Sequence, residues 1–403
     1  SLDSVPAADN PVSLGIDTWG VDFALLDKAD RMIEVPRAYR NEHTRAVVDE
    51  VFARLGQAGL YAATGAQVQH FNTIFQLFAM TKETPRLLDR AASFLMMPDY
   101  LHWKLSGVKA NEYSDASTTA LLNAARRDWD QDILGKLGIP AGLFRKPVMP
   151  GETLAAGVAV GPHRLSIVAP ATHDTGSGVA AVPARGDDHA YICTGTWCLI
   201  GVENAQPDCS EAARALNFTN EGGVDGIIRF LKNCMGLWLI RRLQESLPGT
   251  PAFGDMVAAA RTATPFRSLV NCDDASFFNP DSMVTAIDDF CRRTGQPVPD
   301  SVGAYTRCCV ESLALSFIRV IGEIRSVRSA PVNRIHLVGG GVQNELLCQM
   351  TADATGLPVH AGPVEATALG NVLVQARSLG LIGSLQEGRD LGRSSFGIKD
   401  YLP

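Results

Sequence analysis

Thr172-His173-Asp174-Thr175 follows the short apolar run Ile167-Val168-Ala169, which is typical of a buried β-strand. A second apolar run ends in Thr194-Gly195-Thr196-Trp197, and a third ends in Gly339-Gly340-Gly341. An acid, a hydroxyl-rich turn and a glycine cluster therefore all follow predicted strands. In α/β proteins, ligands bind beyond the carboxyl ends of the strands. The pattern predicts an α/β fold with its chemistry at those ends.

The composition is that of an ordinary globular protein, with 403 residues, 46% hydrophobic, 20% charged, and a net charge of -7. A chain of this length exceeds one ordinary core, so two domains are expected. There is no concentrated basic patch, no apolar stretch of bilayer length and no signal-peptide pattern. We therefore expect a cytoplasmic protein without a nucleic-acid or membrane partner.

The nine cysteines all lie between Cys193 and Cys348 and show no C-x-x-C spacing. This pattern predicts reduced, mostly buried thiols rather than metal ligands. Cys291 and Cys308 could form a pair, but free thiols are favoured.

Strand and helix patterns alternate along the chain, which predicts an α/β architecture. Strands are predicted at 12–23, 94–97, 166–169, 190–194, 335–338 and 358–360, and helices at 44–55, 98–105, 226–243, 306–327 and 344–355. The breaker cluster Pro147-Val148-Met149-Pro150-Gly151 precedes a new strand near Leu165. We place a domain boundary there, giving domains 1–164 and 165–403. Two such domains predict a ligand cleft between them.

Asp174 is the candidate catalytic residue. Phosphoryl transfer to an alcohol needs a group that accepts the hydroxyl proton, and a carboxylate at a strand end can do so. The dipeptide alone is also compatible with an Asp that only caps the next helix. A metal-dependent HD hydrolase would need further His and Asp partners, which the sequence does not offer.

The two glycine-containing turns are candidate phosphate-binding segments. Gly195 would let the backbone approach a phosphate, with Thr196 as a donor, although a plain β-turn explains the same residues. Gly340 lies between a strand and a helix, where a nucleotide could meet the helix's positive end. A dinucleotide-binding fingerprint does not fit, because Gln343-Asn344 stand where that motif has small residues. A P-loop does not fit either, because Gly135-Lys136 is followed by Leu137 instead of Ser or Thr. Together with Asp174, these turns favour ATP-dependent phosphorylation of an alcohol over hydride transfer or hydrolysis.

Two further segments carry polar groups that a sugar could bind. Asp17-Thr18-Trp19-Gly20-Val21-Asp22 places polar residues around an aromatic one in an apolar surrounding. A bulged hairpin whose Trp fills the core is the alternative. Asn233 and Arg241 would share one face of the predicted helix 226–243, where they could reach a sugar and a nucleotide. An ordinary exposed helix face is the alternative for that pair.

Taken together, the chain resembles the FGGY carbohydrate kinases over essentially its whole length. Within the family, the Asp-Thr-Trp-Gly-Val-Asp and Asn-Glu-Gly-Gly stretches favour members that act on L-rhamnulose over xylulose, glycerol or gluconate kinases. The stretches that carry the resemblance are residues 15–23, 97–100, 114–119, 172–175, 195–197, 220–223, 231–238 and 337–341.

The resemblance implies an actin-like, ribonuclease-H-like fold of two domains that close on ATP and a sugar. It implies transfer of the γ-phosphoryl group of ATP, with Mg²⁺, to the 1-hydroxyl of L-rhamnulose in L-rhamnose degradation. Asp174 is then the proton acceptor, and Asp174, Gly20, His173, Thr175 and Asn233 are the sugar contacts. Thr196 and Gly340 are nucleotide contacts, and so is Arg241, although the family often has Gln there. No residue is assigned as a metal ligand, and a monomer or a homodimer is expected.

The resemblance also implies an earlier phosphate-binding hairpin and a closing helix, neither of which is in this sequence. We therefore expect the chain to be a fragment of a kinase. A kinase for L-fuculose or another ketose is the first alternative. A non-catalytic sugar- or nucleotide-binding protein is the second.

Overall fold

The computed structural model describes residues 10–403, which form two compact units. Unit 1 contains the residues up to Ala181 together with Glu203–Leu231 and Thr367–Gly392. Unit 2 contains Val182–Val202, Lys232–Ala366 and Arg393–Pro403. The domain boundary at residue 164 stays a prediction.

The described residues alternate between strands and helices, as predicted. The strands are Ser13–Leu14, Phe23–Leu26, Ser93–Met96, Leu122–Asn123, Asp128–Trp129, Thr153–Val160, His163–Val168, His189–Thr194, Trp197–Asn204, Thr219–Gly222, Ile228–Met235, Arg334–Gly339, Val359–Ala361 and Lys399–Tyr401. The α-helices are Val48–Leu55, Gln57–Thr64, Thr73–Glu83, Pro85–Arg90, Met97–Ser106, Tyr113–Ala116, Gln131–Leu137, Asp174–Ala180, Glu211–Ala215, Trp238–Ser246, Phe253–Thr262, Met283–Arg293, Val302–Val327, Glu345–Thr355, Ala366–Ser378 and Leu385–Ser395. Short 3₁₀ turns lie at Glu42–Val47, Ser117–Thr119, Ala141–Leu143, Val224–Gly226, Ala275–Phe277 and Gly340–Gln343.

Unit 1 carries a small sheet in which Ser13–Leu14 pairs in parallel with His163–Val168, and Thr153–Val160 pairs antiparallel with His163–Val168. A parallel bridge between Thr18 and His173 extends the first pairing beyond the strands. The hydrophobic core of unit 1 surrounds helix Thr73–Glu83, whose residues 73–80 are all buried. A helix that is apolar on most of its circumference must be covered on all sides.

Unit 2 is built on neighbouring strands in the order Trp197–Asn204, His189–Thr194, Arg334–Gly339, Val359–Ala361 and Lys399–Tyr401, and residues 232–235 of strand Ile228–Met235 lie beside the first of them. His189–Thr194 and Arg334–Gly339 are parallel, and Thr194 lies opposite Gly339 at their carboxyl ends. His189–Thr194 is buried throughout, as expected for a strand covered on both faces.

Two predicted elements differ from the observed ones. The helix predicted at 226–243 is wrong for its first half, because Ile228–Met235 is a strand and the helix begins only at Trp238. The apolar run in that half fits both the helical and the strand spacing of apolar residues, and a run this short does not distinguish the two. The strand predicted at 12–23 is interrupted by a tight turn, in which the Asp22 N–H donates to the Gly20 carbonyl at 2.9 Å and Val21 has a φ of 67°.

All nine cysteines are free thiols, including Cys291 and Cys308, as predicted. No helix within residues 10–403 is both long and apolar enough to cross a membrane.

Three histidine rings lie side by side on neighbouring strands of unit 2. The ring of His336 has its centroid 5.4 Å from that of His189 and 5.1 Å from that of His360. Neither ring nitrogen of His336 has a hydrogen-bond partner among residues 10–403. Burial, together with the neighbouring His189 and His360, lowers the pKa of His336 from 6.5 to about 2. The folded protein therefore holds His336 uncharged.

We expect His336→Phe to make the protein more resistant to acid. The unfolded chain binds a proton at His336 below pH 6.5, whereas the folded chain does not until about pH 2, so stability is lost as the pH falls through this window. Relative to the wild type, the free energy of unfolding of His336→Phe should be about 2 kcal/mol more favourable to the folded state at pH 5 than at pH 8. Urea unfolding of both proteins at the two pH values measures this, and an equal effect at both would refute it.

Candidate active site

The segment that carries Asp174 is held beside the Thr18 segment by two backbone hydrogen bonds. The Thr18 N–H donates to the Thr172 carbonyl at 2.9 Å, and the Asp174 N–H donates to the Thr18 carbonyl at 2.8 Å. Asp174 is the first residue of helix Asp174–Ala180, and His173 is its N-cap. The predicted location of Asp174, beyond the carboxyl end of a parallel strand, is therefore observed.

A buried glutamate fixes the same segment from the opposite side. Both the backbone N–H and the hydroxyl of Thr172 donate to Glu112 Oε2, at 3.0 and 2.7 Å. The Ser114 hydroxyl also donates to Glu112, and it accepts from the His173 N–H at 3.2 Å. Glu112 is fully buried, so these donors compensate its lost hydration. They leave the Thr172-His173 backbone little freedom.

Arg229 organises the side chains around His173. Its guanidinium is 1% exposed and lies 3.0 Å from Glu221 Oε2. It also donates to the Gly222 carbonyl at 2.8 Å and to the Thr175 hydroxyl at 3.1 Å. Its Nη2 atom is 3.2 Å from His173 Nδ1, which is itself 3.2 Å from Glu221 Oε2. The network orients both His173 and Thr175.

Asp174 remains accessible at the edge of this network. Its side chain is 42% exposed, and Oδ1 accepts from the Thr175 N–H at 2.6 Å. Desolvation by the surrounding protein raises the pKa of Asp174 above its ordinary value, while the nearby His173 and Arg229 oppose the rise. An accessible carboxylate with raised basicity can accept a proton from a ligand hydroxyl. Its hydrogen bond to Thr175 shows that it also contributes to the helix start.

Trp19 in the 17–22 stretch is exposed, whereas Gly20, Val21 and Asp22 are buried. Trp19 is 48% exposed, and its Nε1–H donates to Asp22 Oδ2 at 2.8 Å. A Cβ atom on Gly20 would come within 3.0 Å of Thr118 and 3.2 Å of Asp115. The alternative in which Trp19 fills the core is therefore wrong. Gly20 allows close packing against two buried side chains.

The glycine cluster of unit 2 is clamped by one threonine. The Thr194 hydroxyl donates to the Val338 carbonyl at 2.7 Å and accepts from the Gly341 N–H at 2.9 Å. A Cβ atom added to Gly339 would lie 2.5 Å from the Thr194 carbonyl oxygen. A Cβ atom added to Gly341 would lie 2.6 Å from the Thr194 hydroxyl oxygen. Around Gly340, by contrast, no atom of the described residues lies within 4 Å of such a Cβ. Only Gly340 presents open backbone.

Thr196, Asn233 and Arg241 also lie in unit 2. Thr196 is exposed in the turn after His189–Thr194, so it and Gly340 follow the ends of neighbouring parallel strands. Asn233 lies in strand Ile228–Met235 rather than in a helix. Arg241 lies in helix Trp238–Ser246 with a 73% exposed side chain that contacts Glu245 at 3.3 Å. Thus Gly20, His173, Asp174 and Thr175 share unit 1, and the other four predicted site residues share unit 2.

Residues 5–159 match the N-terminal domain of the FGGY family of carbohydrate kinases, and residues 190–379 match its C-terminal domain. The chain belongs to the FGGY family of carbohydrate kinases.

Curated relatives and solved structures agree with this membership of the FGGY family. The chain is 43% identical over 400 residues to a rhamnulokinase of Halalkalibacterium halodurans, covering 98% of the chain and 85% of the relative. It is 42% identical over 393 residues to a rhamnulokinase of Pectobacterium atrosepticum, covering 98% and 79%. The gluconate kinase structure from Lactobacillus acidophilus superposes with a TM-score of 0.78 at 15% identity, covering 98% of this chain and 80% of that one. The predicted actin-like fold class is confirmed.

Sequence reasoning missed Glu112 and Arg229, which hold the 172–175 segment of unit 1, and the contact of Thr194 with the glycine cluster of unit 2. Arg229 stands in an apolar run, and an arginine there could have indicated a buried ion pair. Glu112 lies 60 residues from Thr172 in the chain. No local pattern joins two positions that far apart.

A matched pair of substitutions tests whether Gly341 is needed for packing while Gly340 is not. Gly341→Ala places a methyl group against the buried Thr194 side chain, whereas Gly340→Ala places it in open space. We expect Gly341→Ala to lower the free energy of unfolding by about 1–3 kcal/mol and Gly340→Ala to change it little. Urea unfolding followed by circular dichroism tests both. Equal effects would contradict the clamp.

Proposed function

We propose that the protein catalyses the rhamnulokinase reaction, in which ATP phosphorylates the 1-hydroxyl of L-rhamnulose to give L-rhamnulose 1-phosphate and ADP in L-rhamnose degradation. The identity of 41–43% to curated rhamnulokinases over nearly the whole chain supports this substrate. The accessible Asp174 carboxylate, held at a strand end by Thr18 and Glu112, is the observation on which the chemistry depends.

In this reaction Asp174 accepts the proton of the sugar hydroxyl. The hydroxyl oxygen forms a bond to the γ-phosphorus, the bond from that phosphorus to the β-bridging oxygen breaks, and ADP leaves. The raised pKa of Asp174 suits the role, because a more basic carboxylate accepts a proton more readily. The Thr175 N–H donates to Oδ1 of this carboxylate and holds the group in place.

The remaining contacts are divided between the two ligands. We assign Gly20, His173, Thr175 and Asn233 to the sugar. The ring of His173 and the hydroxyl of Thr175 are oriented by Arg229, so both can meet hydroxyls of a ketose at fixed angles.

We assign Thr196, Gly340 and Arg241 to the nucleotide. The open backbone at Gly340 and the exposed hydroxyl of Thr196 suit phosphate oxygens. Arg241, with its exposed guanidinium, supplies positive charge.

We assign Mg²⁺ as the metal ion that binds together with ATP. Within residues 10–403 no group of three or more His, Cys, Asp or Glu side chains is arranged to hold a metal ion. Kinase Mg²⁺ is commonly held by one or two carboxylates together with substrate phosphates. An Mg²⁺ ion bound to the phosphates of ATP would neutralise part of their charge.

The remaining expectations stay part of the proposal. They are domains at 1–164 and 165–403, a cytoplasmic location, a monomer or homodimer, and no nucleic-acid or membrane partner.

We expect the protein to release ADP faster with L-rhamnulose than with other ketoses. A coupled ADP-release assay with L-rhamnulose, L-fuculose, D-xylulose and a no-sugar control measures the ratio of kcat/KM values. A higher value for L-fuculose would move the assignment to that sugar, and sugar binding without ADP release would favour a non-catalytic protein.

Asp174→Asn should lower kcat by about 10²–10⁴ while changing the KM for sugar and ATP little, because the amide cannot accept the proton. Asp89→Asn, on an exposed surface outside the site, is the matched control. Steady-state kinetics with a circular-dichroism check of folding decide the outcome, and an unchanged kcat would remove Asp174 from this role.

Gly340→Ala should raise the KM for ATP by about tenfold with little effect on the KM for the sugar. The added methyl group fills open space, so any cost must come from the ligand that approaches there. Titrating ATP at saturating sugar measures it. A raised KM for the sugar alone would reverse the assignment.

A further inference from the structure

Glu221 and Arg229 of unit 1 form a buried ion pair that the strand register builds. The two residues are direct partners in the antiparallel pairing of Thr219–Gly222 with Ile228–Met235. Side chains of direct cross-strand partners lie on the same face of a sheet. Arg229 Nη2 lies 3.0 Å from Glu221 Oε2, and the two side chains are only 1% and 9% exposed. The guanidinium is therefore fixed in place with its charge compensated.

Arg229 can only donate hydrogen bonds, and three of its nitrogen atoms are directed at acceptors. Nε donates to the Gly222 carbonyl at 2.8 Å, and Nη1 donates to the Thr175 hydroxyl oxygen at 3.1 Å. Nη2 lies within hydrogen-bond distance of His173 Nδ1, at 3.2 Å. A guanidinium keeps its protons in proteins. Each group that receives a hydrogen bond from it must therefore present a lone pair.

The ring of His173 has different neighbours at its two nitrogen atoms. Nδ1 lies 3.2 Å from Arg229 Nη2 and also 3.2 Å from Glu221 Oε2. Nε2 lies 3.2 Å from the Thr175 hydroxyl oxygen and 3.6 Å from Asp174 Oδ1. A neutral imidazole carries one proton, and the partner of each nitrogen decides where that proton sits.

A proton on Nε2 satisfies both sides of this ring. Nδ1 then accepts from Arg229, while the Nε2–H faces two oxygen atoms. Glu221 Oε2 does not require a proton from Nδ1, because the Arg229 guanidinium is nearer to it, at 3.0 Å against 3.2 Å. A proton on Nδ1 would instead face an N–H of Arg229 and leave a bare Nε2 towards the Asp174 carboxylate. The contacts therefore favour the Nε2–H form of His173.

The hydroxyl of Thr175 is constrained in the same way. Its oxygen accepts from Arg229 Nη1, and the Nε2–H of His173 is directed at the same oxygen. A hydroxyl oxygen that accepts from the protein keeps its own proton for another partner. Thr175 is half-buried beside the accessible Asp174. Its O–H is therefore available to a ligand there.

We propose that Arg229 is a positioning residue that makes His173 an Nε2–H donor and Thr175 an O–H donor towards the sugar. The inference rests on the proposed function, in which both residues contact the ketose. Ligand oxygens that meet these two groups are then bound as acceptors. Asp174 is the acceptor beside them, so the reacting hydroxyl is the ligand group that gives up a proton to these three residues. The arrangement selects a sugar with oxygen lone pairs on either side of the hydroxyl that reacts.

The position of the ring proton can be measured in the protein without any ligand. Histidine labelled with ¹⁵N allows the ring nitrogens to be observed by NMR at about pH 8, where free histidine is neutral. His173→Gln identifies the signals of His173. We expect a protonated Nε2 and an unprotonated Nδ1. A protonated Nδ1, in a neutral or a doubly protonated ring, would overturn the proposal.

Arg229→Lys tests the arginine itself. Lysine keeps the positive charge but lacks the planar fork that reaches His173 and Thr175 together. We expect the His173 proton to move to Nδ1, where Glu221 accepts it, and the KM for the ketose to rise about tenfold with the KM for ATP unchanged. An unmoved proton together with an unchanged KM would overturn the proposal. If the variant does not fold, the wild-type ring signals decide alone.

Arg389→Lys is the matched control. Arg389 is also a buried arginine of unit 1, and it contacts Glu203 at 2.8 Å. It donates to two carbonyl groups at the end of helix Asp174–Ala180 and to none of the proposed sugar contacts. We expect unchanged His173 signals and an unchanged KM for the ketose, even where urea unfolding shows lost stability. An equal rise of this KM in both lysine variants would indicate a purely structural role and overturn the proposal.

The two kinds of measurement separate this inference from the proposed function. The KM values depend on turnover of a ketose, whereas the ring signals do not. If the wild-type protein phosphorylates no ketose, the proposed function fails. The ring signals of the wild type and of Arg229→Lys then still decide whether Arg229 sets the position of the His173 proton.

Discussion

The pairing of Thr18 with the 172–174 backbone is the constraint on which the unit 1 site depends. Because the pairing is parallel, both segments run in the same direction and deliver their functional groups to the same end. Glu112 holds the second segment through Thr172, so neither segment can slide along the other. Loss of this register would separate Asp174 from Thr18 and displace His173 from Arg229.

The interior of unit 1 holds several acids, and their environments sort them into different states. Burial raises the pKa values of Asp99 and Asp115 well above the ordinary value, and each is raised further by neighbouring acids. Burial acts on Glu221 too, but Arg229 and His173 outweigh it and lower its pKa. Neighbouring buried carboxylates cannot all ionise, so the one paired with arginine takes the charge. Asp174 lies at the accessible edge of the same network, with its side chain 42% exposed.

The sequence was sufficient to predict the α/β class and the positions of Asp174 and Gly340 after strands, since these depend on local apolar runs and turn residues. It was insufficient for Ile228–Met235, where the apolar run fits strand and helix alike. Contacts such as Asp17 with Asn371 join residues 354 positions apart, and only the fold brings them together. Arg229 shows the same limit, because its complete burial follows from packing and not from its own residue type.

The three glycines of the unit 2 cluster differ in what surrounds them. Gly339 and Gly341 are required by the close approach of Thr194, which leaves no room for a side chain at either position. Their absent side chains let two parallel strand ends meet through the Thr194 hydroxyl. Gly340, held between two immobilised neighbours, exposes its backbone without being free to move. A phosphate that binds there meets a preorganised surface, so little conformational entropy is lost on binding. In the proposed function, one glycine of the three therefore meets the nucleotide, and the other two make its position rigid.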